Sequence, residues 1–125
     1  LILAVGGVLE EALQAHLMLL KEDIHTTVVS LACFKTDARS HDAALKQLLS
    51  RFTNIITIEE HNVINGLGTL VTSRLGLEPS NKKVICLGMP NRYSSIVGDQ
   101  RYLRAVYGID AGAIKHSLNE LMRDQ

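Results

Sequence analysis

Short apolar runs alternate along this chain with segments whose apolar residues recur every three or four positions. The runs are rich in β-branched residues, which is typical of parallel strands that are buried on both faces. They lie at residues 1–5, 26–31, 54–59 and 82–87. The intervening segments have the helical period, which indicates helices packed on both faces of one sheet. We therefore expect an α/β fold, a three-layer α/β/α sandwich with a mostly parallel sheet of about five strands, formed by residues 1–125 as a single domain.

Composition excludes several classes of protein. The 13 Lys and Arg residues balance 13 Asp and Glu residues, so the net charge of +0 predicts no nucleic-acid partner. The apolar runs are too short for a membrane helix, which predicts no membrane partner. Two cysteines, Cys33 and Cys86, indicate free thiols in a reducing cytoplasm. Because the chain begins inside an apolar run, we expect it to be part of a longer polypeptide.

The sequence pattern predicts a core-facing side for one helix, a solvated side for another, and the residue that caps the last helix. In the first helix, predicted at residues 8–22, Leu9, Ala12, Leu13, Leu17 and Leu20 form one apolar stripe, which we expect to face the core. The run from Arg101 to Arg104 is expected to form a solvated helix face. Asp110 is expected to cap the last helix.

Polar and glycine residues gather where the predicted strands end, which is the edge that carries functional loops in such folds. Neighbouring side chains on a strand point to opposite faces, so two adjacent carboxylates there are not expected to act as a pair. Glycines before a helix leave backbone N–H groups free for an anion or for another chain. The expected interface or anion rim consists of Glu59, Glu60, His61, Asn65, Gly66, Gly68 and Arg92. No catalytic, metal or cofactor-binding residue is predicted.

Three stretches taken together resemble the C-terminal domain of transketolase-like thiamine-diphosphate enzymes. Residues 3–13 are similar to the family's opening strand, turn and "EAL" helix. Residues 58–68 resemble its "VEEH…GGLG" segment, with Asn65 in place of a glycine, and Asn tolerates left-handed backbone better than most residues. Residues 87–92 and 102–111 match its "GLPDRF … LL..YGLDA" ending, whereas residues 34–37 depart from the family's "KPLD".

The resemblance implies a non-catalytic domain that supports assembly of a larger enzyme. Such enzymes transfer two-carbon ketol units between sugar phosphates, and their other domains hold thiamine diphosphate and Mg²⁺. In this chain Gly98-Asp99 is followed by Gln100, without the family's metal-binding signature. The implied partners are the other domains or subunits of the parent enzyme, with a homo-oligomer expected.

Other interpretations of the sequence stay open. The chain could be a regulatory domain that binds an anion or small molecule, resting on Gly66, Gly68 and Arg92. It could also belong to a 1-deoxyxylulose-5-phosphate synthase or to the beta subunit of a 2-oxo acid dehydrogenase. A hydrolase that uses Cys33 or Cys86 with a histidine is a third interpretation.

Overall fold

A computed structural model of the chain describes residues 1–32, 39–76 and 81–123, without the side chains of residues 39–41. The strands in these ranges are β1 (Ile2–Val5), β2 (Val28–Ser30), β3 (Asn54–Asn62) and β4 (Lys83–Met89). The helices are α1 (Leu9–Leu20), α2 (Arg39–Ser50), α3 (Leu67–Leu75), α4 (Gln100–Tyr107) and α5 (Ala111–Arg123), and a 3₁₀ turn at Gly6–Val8 leads into α1. No helix in the described ranges has the length and apolar character needed to span a membrane.

The strands form one parallel sheet in the order β2-β1-β3-β4. Ile56 of β3 stands between Ile2 and Ile85, which fixes the register across the centre of the sheet. This confirms the parallel α/β class, but the expectation of about five strands is wrong for the described residues, which contain four. The segment after β4 begins with Pro90, which lacks a backbone donor, and runs exposed to α4 instead of returning to the sheet.

The sheet separates two apolar cores, and β3 contributes alternately to both. Ile56 and Ile58 pack with α1 and α5, whereas Ile55 packs with α2 and α3 on the opposite face. All three side chains are fully buried. This alternation follows from the two-residue period of a strand and confirms that helices cover both faces of the sheet.

Helix α1 turns a different face to the core from the one that its leucines predict. Ala12, Ala15 and Leu19 are fully buried, whereas Leu13, Leu17 and Leu20 are exposed. The expected stripe is therefore wrong except for Ala12 and the half-buried Leu9. Two alanines let the helix axis approach the sheet closely, and the three exposed leucines then lie about a third of a turn away from the core-facing side.

The ends of α4 and α5 follow local rules. The Asp99 carboxylate caps α4 by accepting a hydrogen bond from the Tyr102 N–H at 2.8 Å. Gly108 ends α4 with a left-handed φ of 66°, a conformation that glycine adopts without strain. Asp110 accepts from the Ala113 N–H at 2.8 Å, which confirms it as the cap of α5.

The two faces of α1 predict opposite outcomes for two leucines on the same helix. Leu19→Ala removes a fully buried side chain and should lower the free energy of unfolding by about 2–5 kcal/mol, because it leaves a cavity. Leu17→Ala, at a residue that is 51% exposed, should change it by less than about 0.5 kcal/mol. Urea denaturation at low protein concentration measures both. Equal losses for the two variants would contradict the orientation of α1.

Candidate functional site at the carboxyl edge of the sheet

The candidate site lies beyond the carboxyl ends of β3 and β4, on the edge of the sheet where α/β folds commonly bind ligands or partners and next to the reversal of strand order between β1 and β3. We call residues 59–68 and 89–97 the rim. Its two segments are joined by a hydrogen bond from Asn62 Nδ2 to Asn91 Oδ1 at 2.7 Å. The Val63 N–H also donates to the Met89 carbonyl at 3.1 Å. The two loops therefore form one continuous surface.

Glu59 connects this surface to the fold. Its side chain is buried, and its two carboxylate oxygens accept hydrogen bonds from the Leu67 N–H at 2.9 Å and the Gly68 N–H at 3.1 Å. These are the first donors of α3, which no residue within the helix can satisfy. The negative charge also lies at the positive end of the helix dipole. The helix start therefore already holds an anion, which is the chain's own carboxylate.

The glycines at the start of α3 make room for this arrangement. A Cβ at position 66 would lie 2.0 Å from Oε2 of Glu59, so any side chain there would displace the carboxylate. A Cβ at position 68 would lie 2.7 Å from Sγ of Cys86, so Gly68 lets α3 approach β4. Both glycines are thus explained by close packing within the chain. An external anion at the same N–H groups would have to displace Glu59.

Asn65 gives the loop before α3 its shape. Its φ is 61°, in the left-handed region, as expected for an asparagine at the position of a family glycine. Its N–H donates to Thr69 Oγ1 at 3.0 Å, and that hydroxyl donates to the Val63 carbonyl at 3.2 Å. The loop is therefore held in one conformation by its own hydrogen bonds.

Glu60 points to the opposite face of β3, as the strand period predicts. Its carboxylate accepts from Arg104 Nε at 2.8 Å and Nη2 at 3.2 Å, and from Gln100 Nε2 at 3.0 Å. Arg104 Nη1 also donates to Glu11 at 3.4 Å, and the second oxygen of Glu11 accepts from the Ala111 N–H at 3.0 Å. We call Glu11, Glu60 and Arg104 the ionic bridge. It ties β3, α1, α4 and the start of α5 together.

The burial of Arg104 corrects the expectation that residues 101–104 form a solvated face. The side chain is 7% exposed, and hydrogen bonding to Glu60 raises the pKa of its guanidinium despite the cost of burial. The same hydrogen bond lowers the pKa of the Glu60 carboxyl, and desolvation opposes the effect only in part. Sequence analysis missed Arg104 and Glu11 because their partners are distant in the chain.

The remaining predicted residues lie on the rim without a shared chemical task. His61 and Arg92 are exposed, and the ring Nδ1 of His61 lies 3.0 Å from the carbonyl of Asn62. Cys86 is a half-buried free thiol behind Gly68, and Cys33 and residues 34–37 lie outside the described residues. Across the described part of the chain, no group of His, Cys, Asp and Glu side chains could hold a metal ion. Both rim carboxylates serve to join elements of the fold.

Large apolar side chains stand exposed on the rim. Tyr93 and Val97 are almost completely accessible, and Ile64 is more than half accessible. The phenol of Tyr107 donates to Ser94 Oγ, which ties the exposed segment to α4. Apolar groups on an anchored loop are characteristic of protein contact surfaces.

Comparison with known proteins shows to which family the chain belongs. Residues 1–114 match the sequence model of the family described as "Transketolase, C-terminal domain". The chain belongs to this family. It is 34% identical over 122 residues to the 1-deoxy-D-xylulose-5-phosphate synthase of Aquifex aeolicus, covering 98% of this chain and 19% of that protein. It is 37% identical over 124 residues to 1-deoxy-D-xylulose-5-phosphate synthase 1 of Geobacter metallireducens, with coverage of 98% and 19%.

A solved structure supports the same family. It is described as "Split gene transketolase, inactive beta4 tetramer", and it superposes with a TM-score of 0.80 at 28% sequence identity. The match covers 95% of this chain and 37% of that chain. The transketolase C-terminal domain described here therefore corresponds to 19% of the length of the two synthases and to 37% of the split transketolase chain.

In this transketolase C-terminal domain, the contact between Gly66 and Glu59 predicts a large effect of one methyl group. Gly66→Ala should lower the free energy of unfolding by about 2 kcal/mol, because the new Cβ pushes the carboxylate from the helix start. Gly112→Ala in α5 is the matched control. Its Cβ would meet nothing closer than 3.6 Å, and it should stabilise the domain by about 0.5 kcal/mol.

A double variant isolates the cause. In a Glu59→Ala background, Gly66→Ala should cost much less than it does alone, since the displaced group is absent. Thermal or urea unfolding of the four proteins measures the coupling. Additive losses would show that Gly66 acts independently of Glu59.

The lowered pKa of Glu60 predicts how the ionic bridge depends on pH. The pKa of the Glu60 carboxyl in the folded state lies below its ordinary value of 4.5. The charged carboxylate therefore stabilises the fold at pH values above 4.5, and this stabilisation is lost as the pH falls through the folded-state pKa. Near neutral pH, Glu60→Gln should therefore cost about 1 kcal/mol. The difference between wild type and variant should vanish in acid. A difference that persists unchanged in strong acid would contradict the charged state of the bridge.

Proposed function

We propose that this chain is the non-catalytic C-terminal domain of a thiamine-diphosphate-dependent, transketolase-like enzyme, and that it supports assembly of that enzyme. The match of residues 1–114 to the family model carries the proposal. The parent would transfer two-carbon ketol units between sugar phosphates in the cytoplasm. A synthase of 1-deoxy-D-xylulose 5-phosphate is the second candidate for the parent, favoured by the two synthases that match nearly the whole chain.

Two groups of donors that are committed within the fold support a role without cofactor binding. A diphosphate needs free backbone donors or cationic side chains, but the donors at the start of α3 are engaged by Glu59. The buried cation Arg104 is engaged by Glu60 and Glu11. The two carboxylates of the rim, Glu59 and Glu60, are likewise committed to partners within the fold. We therefore assign thiamine diphosphate and Mg²⁺ to the other domains of the parent.

The rim is the surface that we assign to assembly. It combines exposed apolar side chains with an adjoining loop that hydrogen bonds of Glu59 and Asn65 hold in place. A rigid surface loses little conformational entropy when a partner binds, which favours a stable contact. The partner on this surface would be another domain or subunit of the parent enzyme. The split transketolase is described as a tetramer, which supports a homo-oligomeric parent.

Substitution of the two most exposed rim side chains tests the assignment in the complete parent enzyme. Tyr93→Ser combined with Val97→Ser should weaken assembly at least tenfold, as measured by light scattering against concentration. Thermal unfolding of the isolated domain should stay unchanged, because neither side chain packs in the core. Val106→Ser, at an exposed residue of α4 outside the rim, is the matched control. Unchanged assembly would refute the role of the rim.

Calorimetry tests whether this domain binds the cofactor by itself. The isolated 125-residue chain, titrated with thiamine diphosphate in the presence of Mg²⁺, should show no binding in the micromolar range. Binding at micromolar concentration would overturn the assignment of the cofactor to other domains.

A further inference from the structure

A row of leucines on the outer face of α1 is about half exposed and belongs to neither apolar core of the described residues. Leu13, Leu17 and Leu20 are each 43–51% exposed, although they lie on a helix whose other face is fully buried. Their spacing of four and three residues is the spacing of side chains that pack between two helices. We call these three residues the leucine row. The row is well separated from the rim, because it runs along the middle and end of α1 and not along the carboxyl edge of the sheet.

Two residues of opposite charge lie beside the leucine row, one near each end. Glu10 lies before the row and Lys21 lies after it, and both side chains are exposed. Lys21 keeps helical backbone angles, so the two residues lie within about 20° of each other around the helix axis. One flank of the row therefore carries a negative charge at its beginning and a positive charge at its end.

We propose that the leucine row binds the leucine row of a second copy of this chain, with the two α1 helices antiparallel about a two-fold axis. In this arrangement Leu17 lies near the axis, and Leu13 of each copy meets Leu20 of the other. Glu10 of each copy then lies beside Lys21 of the other, at both ends of the contact. In a parallel two-fold arrangement the charged flanks of the two helices would lie on opposite sides of the contact, so Glu10 and Lys21 would not meet across it.

The chemistry of the rest of the surface is compatible with self-association. The net charge of +0 creates no overall repulsion between two copies. A pair of helices of 12 residues, each about 18 Å long, buries less area than the roughly 1,200 Å² of a stable interface. We therefore expect a weak dimer of the isolated chain, with a dissociation constant of roughly 10–1,000 µM. Other contacts in a larger assembly would strengthen it by raising the effective concentration.

Charge exchange provides the sharpest test of the antiparallel arrangement. Sedimentation equilibrium of Glu10→Lys alone, and of Lys21→Glu alone, should show dissociation constants raised on the order of tenfold. An equimolar mixture of the two variants should recover the wild-type association, because each new charge then meets its opposite. Failure of the mixture to recover would overturn the proposed arrangement.

Two hydrophobic variants separate the leucine row from general surface effects. Leu17→Asp should abolish the dimer, whereas Val106→Asp, which adds the same charge at an exposed residue of α4, should leave it unchanged. Circular dichroism should show that both variants remain folded. A wild-type chain that stays monomeric at millimolar concentration would refute the proposal.

Engineered cysteines report the register directly, in a background in which Cys33 and Cys86 are replaced by serine. Leu17→Cys should form a disulfide between two copies under mild oxidation. Leu13→Cys should form one only when mixed with Leu20→Cys. Equal cross-linking of Leu13→Cys with itself would indicate a parallel or random contact and would overturn the proposal. This inference does not depend on the proposed function, since the rim substitutions do not touch α1.

Discussion

The carboxylate of Glu59 is the interaction on which the carboxyl edge of this domain depends. It is 1% exposed, and it pairs its charge with the first backbone donors of α3. An unpaired carboxylate at this depth would be costly, and so would unpaired helix donors. The carboxylate and the helix donors satisfy each other, and the lack of a side chain at Gly66 leaves the space for this contact. The shape of the rim follows from this contact, because α3 and the loop before it are positioned from Glu59.

Several features of this fold follow from short-range sequence patterns. The four strands were predictable because a continuous apolar run has few alternatives, and the divergence of Glu59 and Glu60 follows from the strand period alone. The capping role of Asp110 and the left-handed Asn65 were likewise accessible from local chemistry. Each of these features depends on residues that are close together in the chain.

The features that sequence analysis missed depend on distant partners. Helix α1 has two apolar rows, and only the sheet decides that the alanine row packs inward. Arg104 is buried because two carboxylates from other elements compensate its charge, and neither lies near it in the sequence. The anion site expected at Gly66 and Gly68 was a sound inference from glycines before a helix, but the anion there comes from β3. Tertiary context determined the outcome in all three cases.

The ionic bridge has a consequence for how the domain is made. Glu11 is separated from Arg104 by 93 positions and from Ala111 by 100 positions. During synthesis the first strand and helix emerge long before these partners, and domains generally fold as units. Glu11 therefore cannot meet these partners until the residues that form α4 and the start of α5 have also been made. The bridge is thus a late contact in the order of synthesis, and a nascent chain that ends before residue 104 lacks this connection between α1 and α4.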